Sequence, residues 1–90
     1  MKLSEILTGP EKWIKQDYWE HGRSCLMGGI HRLVEGEPDL LYTRERARLE
    51  RIIGLPDDRS VEDWNDAPER TWDDVALVIA EYDRDRMLNP

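Results

Sequence analysis

Two helix-start motifs constrain the fold of this chain more than any other feature of its sequence. Ser60-Val-Glu-Asp63 and Thr71-Trp-Asp-Asp74 each place a hydroxyl three residues before a carboxylate, which is the spacing of a capping box. Because Pro68 follows the first motif, the helix that begins there must be short. The second motif begins a helix over about 72–86. Its apolar residues recur at helical spacing and form the expected buried face: Trp72, Val75, Ala76, Ile79 and Tyr82.

Two helices are predicted in the first half of the chain. Pro10 favours the first position of a helix over about 10–17. An apolar stripe predicts a second helix over about 25–35, with Ser24 as its N-cap and Gly36 as its stop. We therefore expect this half to enter the core as two helices joined by a loop.

A further apolar face begins at Leu41 and belongs to a helix that ends at Gly54. Its outer face contains arginines interspersed with acids, which is typical of a solvated helix surface: Arg44, Arg46, Arg48 and Arg51, with Glu45 and Glu50. No segment alternates apolar and polar residues over the length of a strand. The sequence predicts an all-α protein, a small irregular bundle of four or five helices in one domain, residues 1–90.

The adjacent glycines Gly28 and Gly29 lie inside a predicted helix, where each costs about 1 kcal/mol relative to alanine. We expect the close approach of another backbone, or of a large ring such as Trp64, to offset that cost. The glycine-bearing helix and the last helix should share one core, which contains Cys25, one of the two glycines, Ile30, Trp64 and Ile79.

The aromatic composition is unusual, with four tryptophans, three tyrosines and no phenylalanine. These tryptophans are expected to supply most of the bulky core volume or to anchor a partner: Trp13, Trp19, Trp64 and Trp72. A chain of 90 residues with 39% hydrophobic residues builds only a small core. We therefore expect leftover apolar surface to support a homodimer or a larger assembly.

The sequence favours a soluble protein of the cytoplasm. Cys25 is the only cysteine, so no disulfide can form within the chain. The longest apolar run, residues 75–80, is far shorter than a membrane span, and residues 1–9 are too short and too polar for a signal peptide. Neither membrane insertion nor export is indicated.

The net charge of −7 is concentrated in residues 57–86, which we call the acidic third. Residues 1–56 contain nine acids and nine bases, whereas the acidic third contains eleven acids and four bases. Phosphate backbones would be repelled by this segment, which argues against direct nucleic-acid binding. The hypothesis is that its aspartates form a recognition surface for a basic protein partner: Asp73, Asp74, Asp83 and Asp85. The same residues would alternatively cap the last helix and keep the protein soluble.

No residue pattern points to catalysis or to a metal. Six helical positions separate Cys25 from His31 by about 600° of rotation, so the two side chains face different directions. His21 lies in the preceding loop, and a zinc site would still lack a fourth ligand. We expect no cofactor, no metal and no catalytic residue, with Cys25 as a small packing residue.

Trp64-Asn65-Asp66 is the most individual motif of the acidic third. In one interpretation, Trp64, Asn65 and Arg70 contact a small ligand through an aromatic ring, an amide and a guanidinium. In the other, Trp64 belongs to the core while Asn65 and Asp66 satisfy backbone groups in the turn before Pro68. The residue types alone fit both interpretations.

Two motifs stand out within roughly residues 3–82, Cys25-Leu-Met-Gly-Gly-Ile30 and Trp64-Asn-Asp-Ala-Pro-Glu-Arg-Thr71. On these motifs the chain resembles an uncharacterised family of small proteins from actinobacteria and their phages. The resemblance implies an all-helical fold and an actinobacterial or actinophage origin. It implies no reaction and no catalytic residue.

These observations lead to one functional hypothesis and two alternatives. The hypothesis is a non-enzymatic interaction module, encoded by a phage or its host, that binds and modulates a host or phage protein. The first alternative is a small-ligand protein that binds or sequesters a nucleotide or metabolite. The second is an acidic mimic of nucleic acid that occupies a basic groove.

Overall fold

The computed structural model describes residues 1–90, which form four α-helices and no strand. The helices are α1 Leu26–Leu33, α2 Asp39–Ile53, α3 Val61–Asp66 and α4 Trp72–Leu88. Two single-turn 3-10 helices precede them, Leu3–Glu5 and Pro10–Lys12. The prediction of an all-α fold is confirmed.

Both predicted capping boxes are present at the starts of α3 and α4. Thr71 Oγ1 accepts a hydrogen bond from the Asp74 N–H at 3.3 Å, and an Asp74 carboxylate oxygen accepts one from the Thr71 N–H at 3.1 Å. Ser60 and Asp63 make the same reciprocal pair. Because each box satisfies two otherwise unpaired backbone groups, these four residues fix where the last two helices begin.

The core lies where α1 meets α2 and α3, and where α4 meets α2 and the first 3-10 helix. Its buried members are mostly aliphatic: Leu3, Leu7, Cys25, Leu26, Met27, Ile30, Leu49, Val61, Val75, Ile79 and Tyr82. Cys25, Ile30 and Ile79 share this core and Trp64 packs against it, as predicted.

The tryptophans do not supply most of the core volume, so that expectation was wrong. Trp13, Trp64 and Trp72 are only partly buried at the edge of the core, and Trp19 remains 47% exposed. An indole needs a polar partner for its N–H, which favours the boundary between apolar interior and solvent. The Trp13 N–H has such a partner in the Asn65 side chain.

The predicted helix over 10–17 is also wrong, because only one 3-10 turn forms, at Pro10–Lys12. The backbone of the next residues bonds elsewhere. The Ser24 N–H donates to the Lys12 carbonyl at 2.8 Å, and the Ile14 N–H donates to the Ser24 carbonyl at 3.1 Å. The Gln16 N–H donates to Asp66. These tertiary bonds replace the hydrogen bonds that a helix would have needed.

Helix α1 begins one residue later than predicted, with Cys25 rather than Ser24 as its N-cap. The Cys25 sulfur accepts a hydrogen bond from the Gly28 N–H at 3.3 Å. The Ser24 backbone is already paired with Lys12 and Ile14, as described above. The helix nevertheless occupies the predicted segment and buries Leu26 and Ile30.

The outer face of α2 is not fully solvated as its mixed charges suggested. Glu45 and Arg48 are 2% and 5% exposed. The Tyr82 hydroxyl donates to Glu45 at 2.6 Å, and Arg48 pairs with both Glu45 and Asp85. Helix α4 covers this part of α2, and each buried charge has a partner of opposite sign, as buried charges require.

Gly28 and Gly29 are explained by two different neighbours. A Cβ at Gly28 would lie 1.9 Å from the Tyr18 backbone oxygen, whereas one at Gly29 would meet methyl groups of Leu3 and Leu7 at 2.9 and 3.1 Å. The expected approach of another backbone is therefore confirmed at Gly28. The ring of Trp64 is not the neighbour of either glycine.

None of the helices has both the length and the apolar character that crossing a lipid bilayer requires.

We predict that Gly28→Ala and Gly29→Ala differ sharply in stability. Gly28→Ala forces the Tyr18 backbone away from α1 and should cost about 3 kcal/mol. Gly29→Ala should be near neutral, because flexible leucine ends yield and alanine gains about 1 kcal/mol of helix propensity. Denaturant unfolding of the two variants measures the difference, and equal midpoints would contradict the close approach at Gly28.

Candidate functional site

A tight turn presents two aromatic side chains to solvent. Glu20 and Arg23 exchange two backbone hydrogen bonds of 2.9 Å, and the residues between them, His21 and Gly22, have φ angles of 49° and 79°. Positive φ at both central residues is typical of a type I′ turn. Just before this turn, Tyr18 and Trp19 are 49% and 47% exposed.

An open groove of about 940 Å³ lies beside this turn. We call it the aromatic groove. Its other walls are the outer side of α1, the linker over residues 34–38 and the first residues of α2. Four aromatic side chains line it: Tyr18, Trp19, His31 and Tyr42. The groove is therefore built by two separate segments, the loop with Tyr18 and Trp19 and the continuous stretch over residues 28–43.

Three of these rings form a continuous row. His31 stacks on Tyr42 with ring centroids 4.3 Å apart, and Tyr18 meets His31 edge to face at 5.8 Å. On the other side, the Arg32 guanidinium lies 4.6 Å from the centre of the Trp19 ring. The row presents a flat, partly apolar surface. Apolar and aromatic side chains of another molecule can pack on such a surface.

Glu62 of α3 holds the Tyr18 end of the row in place. The Tyr18 hydroxyl donates to Glu62 at 2.7 Å, and Arg46 of α2 donates to both Glu62 carboxylate oxygens. The hydrogen bond to Glu62 raises the pKa of Tyr18 to about 12. Burial raises the pKa of Glu62, but the bonds from Arg46 and Tyr18 outweigh it and lower that pKa below its ordinary value of 4.5.

The rim of the groove has three carboxylates, from Glu35, Glu37 and Asp39. All three side chains are exposed, form no ion pair and accept no hydrogen bond. The one guanidinium in the lining, that of Arg32, has no carboxylate within 4.0 Å. The groove therefore combines exposed rings with an excess of negative charge.

The motif Trp64-Asn65-Asp66 occupies a different place. Asn65 is fully buried, and its carbonyl oxygen accepts from Trp13 Nε1 at 2.7 Å and from the Leu26 N–H at 3.1 Å. Its amide nitrogen donates to the Ile14 carbonyl and to Asp66. All the donors and acceptors of Asn65 are used within the chain, so the structure gives it a structural role.

Arg70 and Trp64 contact each other directly. The Arg70 guanidinium lies 3.9 Å from the Trp64 ring centre, and its Nε donates to the Trp64 carbonyl at 2.8 Å. A shallow cavity of about 310 Å³ is found beside them. Trp64 and Arg70 line this cavity, whereas Asn65 is buried and does not, so the three residues predicted to contact a ligand do not line one pocket together.

The four aspartates predicted as an interaction surface are used in different ways. Asp83 accepts the N–H groups of Leu3 and Ser4, and Asp85 pairs with Arg48 and Arg51. Asp74 caps α4. Only Asp73 is exposed without a hydrogen bond or an ion pair. The field of the acidic third is therefore partly neutralised by the chain itself.

No three His, Cys, Asp or Glu side chains lie close enough together to hold a metal ion. Cys25 is buried, and burial raises the pKa of its thiol above the ordinary value of 9.0. A protonated thiol is a poor nucleophile and a poor metal ligand. His31, the other member of the pair considered from the sequence, stacks in the aromatic groove instead.

A family model described as a family of unknown function (DUF6197) matches residues 2–82. The chain belongs to this family. Among curated proteins and solved structures, none matches the chain. The resemblance to an uncharacterised family is thus confirmed, whereas the motifs on which it was based and the actinobacterial or phage origin stay predictions.

In this DUF6197 chain, sequence reasoning missed the aromatic groove. Tyr18 and Trp19 follow Asp17 in a polar loop, and adjacent large aromatics in such a loop were the available signal. His31 and Tyr42 gave no comparable signal. Their pairing depends on how α1 and α2 pack, which the sequence pattern of either helix does not reveal.

We predict that Glu62→Gln lowers stability at neutral pH by about 1.5 kcal/mol, because hydrogen bonds to a charged group are lost. The folded-state pKa of Glu62 is lowered, so this contribution is present above about 4.5 and is lost as the pH falls through the folded value. Melting temperatures of wild type and variant should therefore approach each other in acid, as the pH falls well below 4.5. Glu69→Gln, an exposed control, should change little at either pH, and a constant gap for Glu62→Gln would contradict the assignment.

We also predict that Asn65→Ala costs about 3 kcal/mol or more. The substitution leaves the Trp13 indole N–H, the Leu26 N–H and the Ile14 carbonyl without a partner, and buried unsatisfied groups cost about 1–3 kcal/mol each. Urea unfolding measures this loss. Asn89→Ala, at the exposed end of α4, is the control, and a similar small loss for both variants would exclude the structural role of Asn65.

Proposed function

We propose that the protein is a non-enzymatic interaction protein that binds a partner protein through the aromatic groove. The observation behind this proposal is the row of aromatic side chains along an open groove of about 940 Å³. Tyr18 and Trp19 remain about half exposed there. Tyrosine and tryptophan dominate the binding energy of many protein interfaces, which supports an interface at this place.

The supports of the groove favour binding without large rearrangement. The tight turn after Trp19 fixes the backbone, and the Tyr18 carbonyl rests against Gly28. Glu62 accepts a hydrogen bond from the Tyr18 hydroxyl, and Arg46 in turn holds the Glu62 carboxylate. A surface held in its bound shape loses less conformational entropy on association, which increases affinity.

The proposed partner is a host or phage protein with a basic surface, met in the cytoplasm. The actinobacterial or phage origin is what the sequence resemblance implies and stays a prediction, and the net charge of −7 favours a basic partner. The non-enzymatic part of the proposal is supported by the buried thiol of Cys25, whose raised pKa disfavours its use as a nucleophile. Self-association, and recognition through Asp73, Asp74, Asp83 and Asp85, stay predictions.

The experiment compares Trp19→Ala with Leu77→Ala as tagged baits in actinobacterial cell extract. Leu77 is 70% exposed on α4, which contributes no residue to the groove, so it is a control for the loss of an exposed apolar side chain. A protein identified by mass spectrometry is then purified, and its affinity for each bait is measured by calorimetry. We expect Trp19→Ala to weaken binding at least tenfold, because a central aromatic contact is worth about 2 kcal/mol.

Equal affinity of the purified partner for wild type and Trp19→Ala would place the interface elsewhere on the molecule. An Asp73→Asn/Asp74→Asn variant tests the acidic third in the same assay. If that variant alone weakens binding, the acidic first turn of α4 is the interface and the proposal for the aromatic groove fails.

A further inference from the structure

The charge around the aromatic groove indicates what kind of segment it accepts, and this inference rests on the function proposed above. The lining of the groove contains three unpaired carboxylates, from Glu35, Glu37 and Asp39, and only one guanidinium. An anionic segment would be repelled by this rim, whereas a basic segment would be attracted to it. The rings next to the rim also favour cations, because their faces are negative.

Arg32 shows that the Trp19 ring accepts a guanidinium. Its charged group lies 4.6 Å from the ring centre. It has no carboxylate within 4.0 Å and makes no side-chain hydrogen bond, so the ring is its main contact. Arg32 is also exposed, and a cation–π contact of an exposed arginine is weak enough to be exchanged for another.

We propose that the aromatic groove binds a basic segment of the partner protein, and that Arg32 is an internal occupant of the Trp19 ring which an arginine of that segment displaces. The incoming arginine gains the ring contact, and the unpaired carboxylates of Glu35 and Glu37 in the same groove attract the basic segment that carries it. Arg32 lacks an ion pair with either carboxylate. Arg32 therefore lowers affinity twice, because it covers the ring and adds like charge to the groove.

The probe is a hexa-arginine peptide, titrated by calorimetry at physiological salt so that long-range attraction to the acidic protein is screened. Arg32→Gln should tighten binding by about two- to fivefold, which corresponds to the strength of an exposed cation–π contact. Arg59→Gln changes the net charge equally and lies outside the groove, so it is the matched control. It should leave the dissociation constant nearly unchanged.

Trp19→Ala separates the ring contact from charge. We expect this variant to bind the peptide about two- to fivefold more weakly than wild type. Combining it with Arg32→Gln should remove most of the gain that Arg32→Gln alone produces. Glu35→Gln/Glu37→Gln should weaken binding more than Asp57→Asn/Asp58→Asn, an exposed pair with the same change in charge.

Equal effects of Arg32→Gln and Arg59→Gln would overturn the displacement, as would an unchanged gain in the Trp19→Ala background. Tighter binding of a hexa-glutamate peptide or of a nucleotide would overturn the basic occupant. If the peptide does not bind while a purified partner still requires Trp19, the basic occupant is excluded and the interaction function stands. Far-UV circular dichroism and melting temperature confirm that each variant is folded.

Discussion

The Asn65 side chain joins three segments that are far apart in the sequence. Its oxygen binds the Trp13 indole and the first N–H of α1, and its nitrogen binds the Ile14 carbonyl. A single buried amide therefore holds α3 against the start of α1 and against the extended segment that follows Pro10–Lys12. Because such a group loses its water on folding, every one of these bonds is needed, and removing the amide leaves several groups unpaired.

The aromatic groove depends on that junction. Residues 13–16 lead directly to Tyr18 and Trp19. The bonds that hold residues 13–16 therefore also position these two aromatic residues. The Tyr18 carbonyl then rests where any side chain at position 28 would stand. Glu62 of α3 completes the support through the Tyr18 hydroxyl. The Tyr18 ring is thus held by α3, the same helix whose Asn65 organises the interior.

Charged side chains have different roles in the contact between α2 and α4 and around the aromatic groove. Between α2 and α4, Glu45, Arg48, Tyr82 and Asp85 pair with one another, and buried pairs of this kind specify how helices fit more than they add stability. Around the groove, Glu35, Glu37 and Asp39 stay exposed and unpaired. Net charge along the chain could not distinguish these uses, since it counts Asp85 and Asp39 alike. The acidic third itself contains both kinds of charge, since Asp85 is paired whereas Asp57, Asp58 and Asp73 are exposed and unpaired.

The sequence by itself determined the elements whose signals are local. The capping boxes at Ser60 and Thr71 and the stop at Gly54 act within a few residues, so the helices they bound formed where the pattern predicted. Only the tertiary structure decided the conformation of residues 10–17, the role of Asn65 and the existence of the aromatic groove. Three of the partners of Asn65 lie 39 to 52 residues away, and His31 meets Tyr42 only because α1 packs on α2. A hydrogen bond to a distant residue satisfies a buried backbone group as fully as a local one, and the sequence pattern around either residue does not show which will form.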